Sequence, residues 1–435
     1  MTRSASTILL ATFGSLGDLH PFVALAHALK REGFSPVVAT CEAYRGFIEQ
    51  EGLSFAPIRP DVDDLTRRLG MDLGGIARRM VEDDAFLFRE VIFPHLRQSY
   101  DDLLALSEGA ALVAAHGLAF AAKAVAEKRG LPLVNVILSP LMFYSAYDPP
   151  LGSRAWFARE PRSPLAIGYN RLILRTYLVL AAHRAKPLAQ LRRDVGLPTR
   201  RGLDLFSGAA DATIGLYSPL LAPPQPDHPR GTLIAGHSFH DRYRGEGEQV
   251  LPALEAFLDA GAAPIVFTLG SFFTRDKSEH YRACFDAASR LGRRAVLLAH
   301  EGDLAGLREG LPAEAFAAAY VPHSLVFQHA CAIVHHGGAG ASGQALRAGK
   351  PQLVTPLSAD QPDNAERLRR LGVARVLSGG AVTAAALARE LAPLLGEGAY
   401  AARAGEVAAQ VAREDGAGVA AGRIGELLGR ESRFT

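Results

Sequence analysis

The sequence predicts an α/β fold of two Rossmann-like, doubly wound domains facing each other across a cleft. Three observations carry this. Short apolar runs alternate with helix-period patterns in both halves, as in βαβ units. The chain has 435 residues, more than one ordinary core accommodates. Each half also contains a strand running into a turn of small residues and then a helix, "ATFGSLGDLHPF" in the first and "CAIVHHGGAGASGQALRAGK" in the second.

In order along the chain, "STILLATF" reads as a strand, "HPFVALAHALKREG" as a helix closed by Gly33, and "SPVVATC" as the next strand. "ALVAAH", "AAKAVAEKRG" and "LPLVNVIL" form a further strand–helix–strand unit, completing one domain within residues 1–219. From about Asp148 to Thr213 the alternation gives way to helix-forming, aromatic and basic residues. The stretch 220–231, "LLAPPQPDHPRG", has four prolines, which continue neither a helix nor a central strand, and reads as the interdomain linker. Strands "PIVFTLGS", "RAVLLAH", "CAIVHHGG" and "KPQLVTPL" and the helix "EHYRACFDAASRLG" build a second domain over 232–435. The Ala-rich end reads as helices that cross back to the first domain.

A net charge of +2 provides no basic footprint for nucleic acid. Cys41, Cys284 and Cys331 are far apart and odd in number, which argues against a disulfide framework or structural zinc and for a reducing compartment. The first apolar run, Ile8–Phe13, is of strand length, too short for a secretory or transmembrane segment. The expectation is a cytoplasmic protein. The insert "YNRLILRTYLVLAAHRAKPLAQLRRDVG" has apolar and basic faces, compatible with a packed helix, a cover for a lipid tail, or peripheral contact with the inner face of an anionic membrane.

The chemistry concentrates at "HHGGAGASGQALRAGK". Gly338, Gly340 and Gly343 fit G-x-G-x-x-G, and Asp360 follows near where a dinucleotide fold puts its ribose-binding acid, so a nicotinamide oxidoreductase is one reading. Two features oppose it. The helix after Gly343 stops at about Ala348, before Gly349 and Pro351, and a histidine pair directly precedes the glycines. An imidazole beside a helix N-terminus suits a departing diphosphate. "SADQPDNAERL" ends the next strand; Asp360 and Gln361 offer acceptors and a donor to a polyol, or Asp360 caps the following helix.

The segment "VPHSLVFQHACAIVHHGGAGASGQALRAGKPQLVTPLSADQPDNAERLRRLGV" resembles the donor signature of the GT-B nucleotide-sugar-dependent glycosyltransferases, which include sterol and glycopeptide-antibiotic enzymes. The resemblance implies that His336, rather than His335, contacts the diphosphate with the Gly338–Gly340 backbone, that Asp360 and Gln361 bind sugar hydroxyls, and that Val321 and His323 lie at the nucleotide base. It makes Ser271, in "FTLGSFF", a second phosphate contact. The family's Thr or Ser after "GGAG" is Ala341 here, followed by Ser342; either Ser342 substitutes or the backbone suffices.

Inverting transfer needs a base for the acceptor hydroxyl. The family's G-x-x-G-D pattern matches Gly14, Gly17 and Asp18, making Asp18 the base, Gly17 a neighbour of the donor and His20 an understudy. Asp18 as a helix cap is the alternative. His116, Phe143, Tyr144, Tyr147 and Trp156 are the acceptor-site candidates, with ordinary packing as the alternative. "SPLMFYSAYDPP" and "LYSPLLAPPQPDHP" most resemble the rhamnosyltransferases that glycosylate hydroxy-fatty-acid dimers in rhamnolipid biosurfactant synthesis. The implied donor is dTDP-rhamnose or a UDP-hexose. No metal or other cofactor is expected: "DVDD" at Asp61–Asp64 reads as a solvated run away from the donor signature. A non-catalytic nucleotide-sugar-binding protein is the remaining alternative.

Overall fold

The computed structural model describes residues 6–83, 85–151, 157–198, 210–241, 251–268, 277–299, 304, 306–307, 311–319, 321–378 and 382–429. Two all-parallel sheets organise it. The first has seven strands in the order β3-β2-β1-β4-β5-β6-β7: β1 Thr7–Ala11, β2 Ser35–Thr40, β3 Ser54–Pro57, β4 Ala110–His116, β5 Leu133–Ile137, β6 Ala212–Gly215 and β7 Thr232–Ile234. The second has six in the order β10-β9-β8-β11-β12-β13: β8 Ile265–Thr268, β9 Ala295–Leu298, β10 Ala315–Ala318, β11 Ala332–His335, β12 Gln352–Val354 and β13 Ala374–Val376.

Helices cover both faces, so the strands are apolar throughout rather than alternating. In β1, Ile8 and Leu10 pack with Leu19 and Phe22, while Leu9 and Ala11 enter the opposite core with Val113 and Leu103. Five helices matter below: α1 Leu16–Arg31, α2 Pro164–Arg184, α3 Ala339–Ala348, α4 Gln361–Arg370 and α5 Gly416–Leu427.

Strand order reverses between β1 and β4 in one sheet and between β8 and β11 in the other. Ligands of such folds bind outside the strands' carboxyl ends at these switch points. The turns after β1 and β11 therefore open where chemistry is expected.

The stretch 220–231 is not the interdomain linker. It joins β6 to β7 inside the first sheet, because Thr232–Ile234 pairs with Thr213–Gly215. The prolines break the chain between two neighbouring strands; the crossing to the second sheet comes after Ile234. The last helix, α5, returns to the first half, where Ala417, Ala420, Ala421 and Ile424 share a core with Leu19 and Phe22 of α1. Among the described residues, no helix is long and apolar enough to cross a membrane.

Candidate active site at the domain cleft

On the first half, α1 begins at Leu16, earlier than the sequence pattern suggests, and so places Asp18 in its first turn. Ser15 is the N-cap: its Oγ accepts from the Gly17 N–H at 3.2 Å, and its own N–H donates to Asp18 Oδ2 at 2.8 Å. This is a capping box with Asp in the reciprocal position. Asp18 thus takes part in the cap as its third helical residue, with Ser15 and not Asp18 as the N-cap. Oδ2 is spent on the cap, while Oδ1 is directed toward His116 Nε2 at 3.8 Å. Gly14 has φ +133°, and a Cβ built there would lie 2.2 Å from Asp18 Oδ2, so only glycine leaves room for the carboxylate.

On the second half, β11 ends at His335, which is fully buried. Its Nε2 is 3.0 Å from Gln352 Oε1, and its Nδ1 accepts from the Gly337 N–H at 3.1 Å. His335 thereby shapes the turn, while the His336 ring lies over Gly338, where an added Cβ would meet its Nε2 at 2.5 Å. Burial lowers the His336 pKa to about 4. This favours the neutral imidazole over the cation at neutral pH. Gly337 has φ +89°, and a Cβ there would meet Val354 at 2.9 Å and the Gln361 carbonyl at 3.1 Å.

Helix α3 starts at Ala339 with Gly338 as a cap that makes no side-chain hydrogen bond. The Ser342 N–H is the first to bond back, to Gly338 O. The amides of Ala339, Gly340 and Ala341 therefore stand at the open positive end of the helix. The Ser342 hydroxyl does not replace the missing Thr. It is sealed from solvent, with no hydrogen-bond partner in the structure. The unpaired backbone amides are what this turn offers to an anion.

The two halves meet here. A Cβ on Gly340 would lie 3.8 Å from the Gly17 Cα, so the starts of α1 and α3 abut. Asp360 is the first residue of α4's cap but makes no side-chain capping bond; Oδ2 accepts instead from Asn364 Nδ2 at 2.8 Å. Burial, then the charge of Asp18 across the cleft, pushes the Asp360 pKa up to about 6. Gln361 Oε1 accepts from the N–H groups of Leu357 and Ser358.

Asn364, which the sequence reading passed over, ties these parts together. Its Nδ2 also donates to Gly337 O at 2.9 Å, and its Oδ1 accepts from Ser139 Oγ of the first half at 3.3 Å. One helical turn on, the buried Arg367 pairs with Asp363 at 2.8 Å and with Asp148 of the first half at 2.7 Å. Asp363 also accepts from the Leu151 N–H at 2.7 Å. A buried guanidinium with both charge partners satisfied fixes register across the cleft more surely than it adds stability.

Other expected site residues fall elsewhere. The His20 ring packs on Phe47 and His240, each with centroids 5.5 Å away, so it does not stand beside Asp18 as a second base. His116 is buried behind Asp18 and supports the carboxylate instead of reaching an acceptor. Phe143 lies in a small core, stacked on His228 at 4.1 Å and edge-on to Tyr217, and serves the fold. Tyr144 stacks with Tyr177 of α2 at 5.6 Å, and the Arg171 guanidinium sits 5.9 Å over the Tyr147 ring. Val321 is a core side chain, which leaves only its backbone to meet a base. His323 is 3.4 Å from Thr268 Oγ1 and stacks on Phe327. Ser271 and Trp156 lie outside the described residues. Asp61 occupies the N-cap position of the Val62–Leu69 helix without a side-chain capping bond, and Asp64 pairs with Arg67 on an exposed surface.

Comparisons agree with this arrangement. Residues 8–141 match the glycosyltransferase family 28 N-terminal domain, and residues 282–424 match the erythromycin biosynthesis protein CIII-like C-terminal domain. The vancomycin aglycone glucosyltransferase of Amycolatopsis orientalis is 32% identical over 430 residues, covering 98% of each chain. The O-mycaminosyltylonolide 6-deoxyallosyltransferase of Streptomyces fradiae is 30% identical over 421 residues, covering 94% of each. In fold, the kitacinnamycin glycosyltransferase structure superposes with a TM-score of 0.70 at 20% identity, covering 97% of this chain and 99% of that one. The nicotinamide reading of Gly338, Gly340 and Gly343 is set aside, because the matching family domains and relatives are glycosyltransferases.

Proposed function

Because the chain belongs to the glycosyltransferases, with a family 28 N-terminal domain and an erythromycin CIII-like C-terminal domain, we propose that it moves a sugar, with inversion, from a nucleoside-diphosphate sugar to a hydroxyl of a small hydrophobic acceptor. The observation that carries this reading is the meeting of Asp18 with the uncapped start of α3 and with Asp360 across one cleft. Asp18 takes the acceptor hydroxyl's proton as that oxygen attacks the anomeric carbon. The bond from this carbon to the diphosphate breaks with its electron pair. The Ala339–Ala341 amides and the neutral His336 imidazole receive the developing negative charge. Asp360 and Gln361 hold sugar hydroxyls, Gln361 through its amide nitrogen, since its oxygen is committed to the loop. The Val321 backbone and His323 hold the base. With these donors in place the step needs no divalent cation.

A hydrophobic acceptor, a hydroxylated natural product or a hydroxy-fatty-acid lipid, fits α2. This helix exposes Leu165, Leu172, Tyr177, Val179 and Leu180, carries arginines and no acidic residue, and stacks Tyr177 on Tyr144. The same composition suits peripheral contact with an anionic membrane. The test is a donor panel, dTDP-rhamnose and UDP-hexoses, against hydroxy-fatty acids and hydroxylated polycyclic or macrolide acceptors. Mass spectrometry should show one added glycosyl group, and NMR the opposite anomeric configuration to the donor. Retained configuration, or donor binding with no transfer to any acceptor, would overturn the reading.

A further inference from the structure

Among the described residues, one cluster of ligating side chains is left unused by the proposed reaction. His27 on α1, Glu51 just beyond the Arg45–Gln50 helix and His240 on the segment between the two sheets come together from distant parts of the sequence. Their ligand atoms all lie within 4.8 Å of one another. His27 Nε2 is 3.2 Å from Glu51 Oε2, and His240 Nε2 is 3.6 Å from Glu51 Oε1. Ligands of one tetrahedral zinc ion, each about 2.0–2.2 Å from the metal, stand roughly 3.3–3.6 Å apart. The His240–Glu51 pair has that spacing, and His27 stands slightly closer to the other carboxylate oxygen.

The Glu51 and His240 side chains are 3% and 5% exposed. Among the described residues the ion-pair partners of Glu51 are these two imidazoles, with no Lys or Arg. A buried carboxylate needs a counter-charge, and two neutral imidazoles with one carboxylate are the donor set that a borderline-soft divalent ion prefers. A cavity of about 400 Å³, lined by His27, His240, His237 and Asp241, adjoins the cluster and admits an ion and its water.

We propose that His27, Glu51 and His240 form a Zn²⁺ site, with water completing the tetrahedron, that clasps the first domain to the segment leading into the second. The site is structural. His27 lies nine residues along α1 from Asp18, which at about 100° per residue puts the two on opposite faces of the helix. Its reach to the donor side runs through the residues around His240. Asp241 accepts from Arg347 at 2.7 Å and from Gln344 at 3.1 Å, both on α3. Phe239 lies under the Arg347 guanidinium at 4.3 Å. The ion therefore fixes the segment that holds the phosphate-binding helix.

The test uses tag-free, chelator-stripped full-length protein titrated with Zn²⁺ against a chromophoric chelator, and with Co²⁺ read by visible absorption. The proposal expects one equivalent of Zn²⁺ retained through gel filtration, a rise in Tm on binding, and the intense absorption of tetrahedral Co²⁺. His27→Ala, Glu51→Gln and His240→Ala should each weaken Zn²⁺ binding at least tenfold while Asp18→Asn leaves it unchanged. Variant binding is compared only where the metal-free Tm matches that of metal-free wild type; the wild-type Co²⁺ spectrum requires no variant. Less than one equivalent retained, a weak octahedral Co²⁺ spectrum, or equal binding by the three variants would overturn it.

Discussion

The turns after β1 and β11 share a plan and differ in one respect. Each leaves a parallel strand, passes a glycine at positive φ (Gly14 at +133°, Gly337 at +89°) and enters a helix at the cleft. In the first, the helix start is closed on itself: Ser15 and Asp18 satisfy each other and the leading amides. In the second, no side chain caps the helix, and its amides are left for a ligand. The closed start immobilises the Asp18 carboxylate, and the open one leaves its amides without a side-chain partner. In the proposed reaction the same βα unit supplies a base in one domain and a leaving-group site in the other, according to whether its N-terminal amides are satisfied internally.

The comparison breaks most sharply at Gly14. Gly14→Ala places a methyl on the Asp18 carboxylate, so kcat should fall by roughly 10²-fold or more, the scale of general-base catalysis, while donor affinity by calorimetry stays near wild type. Equal losses in both would mean that the closed turn serves the donor as well. Next in size, His336→Ala removes a donor from the open turn, and both donor affinity and rate should fall by about 10- to 100-fold; unchanged kinetics would refute its phosphate role.

A smaller effect sharpens the link between the turns. Burial, with the charge of Asp18 adding to it, raises the Asp360 pKa to about 6. Removing this like charge in Asp18→Asn favours the ionised form of Asp360, so the acid limb of donor affinity against pH should move to lower pH. A fixed midpoint would show that the two carboxylates do not share a cleft. The smallest change is expected from Ala341→Thr, which restores a hydroxyl beside amides that already suffice. Affinity should be equal or improved a few-fold; a clear loss would show that the start of α3 does not face the diphosphate.

Much of this was legible in the sequence because local signals agreed. β1, β4, β8 and β11 are continuous apolar runs, and Gly349 with Pro351 marks the end of α3, which the structure places at Ala348. Strands such as Ser54–Pro57 and Ala374–Val376 were not legible, being only four and three residues long and held by their neighbours' pairing. Prolines at 223–229 signal a break but not which sheet the chain rejoins. Asn364 and Arg367 look like ordinary helix-surface residues until tertiary contacts reveal Ser139 and Asp148 opposite them. His27, Glu51 and His240 have no local spacing to betray them, because a parallel fold assembles such groups only in three dimensions. The place of Asp18 within a capping box led by Ser15 also needed geometry, since the sequence poses Asp18 itself as the cap.

The division between a base held in the first domain and a donor held in the second is tested most directly by Asp18→Asn, with donor binding measured by calorimetry and transfer by mass spectrometry on the same preparation. The account predicts transfer reduced by at least about 10²-fold with donor affinity within a few-fold of wild type. Donor affinity lost together with transfer, or transfer retained, would contradict it.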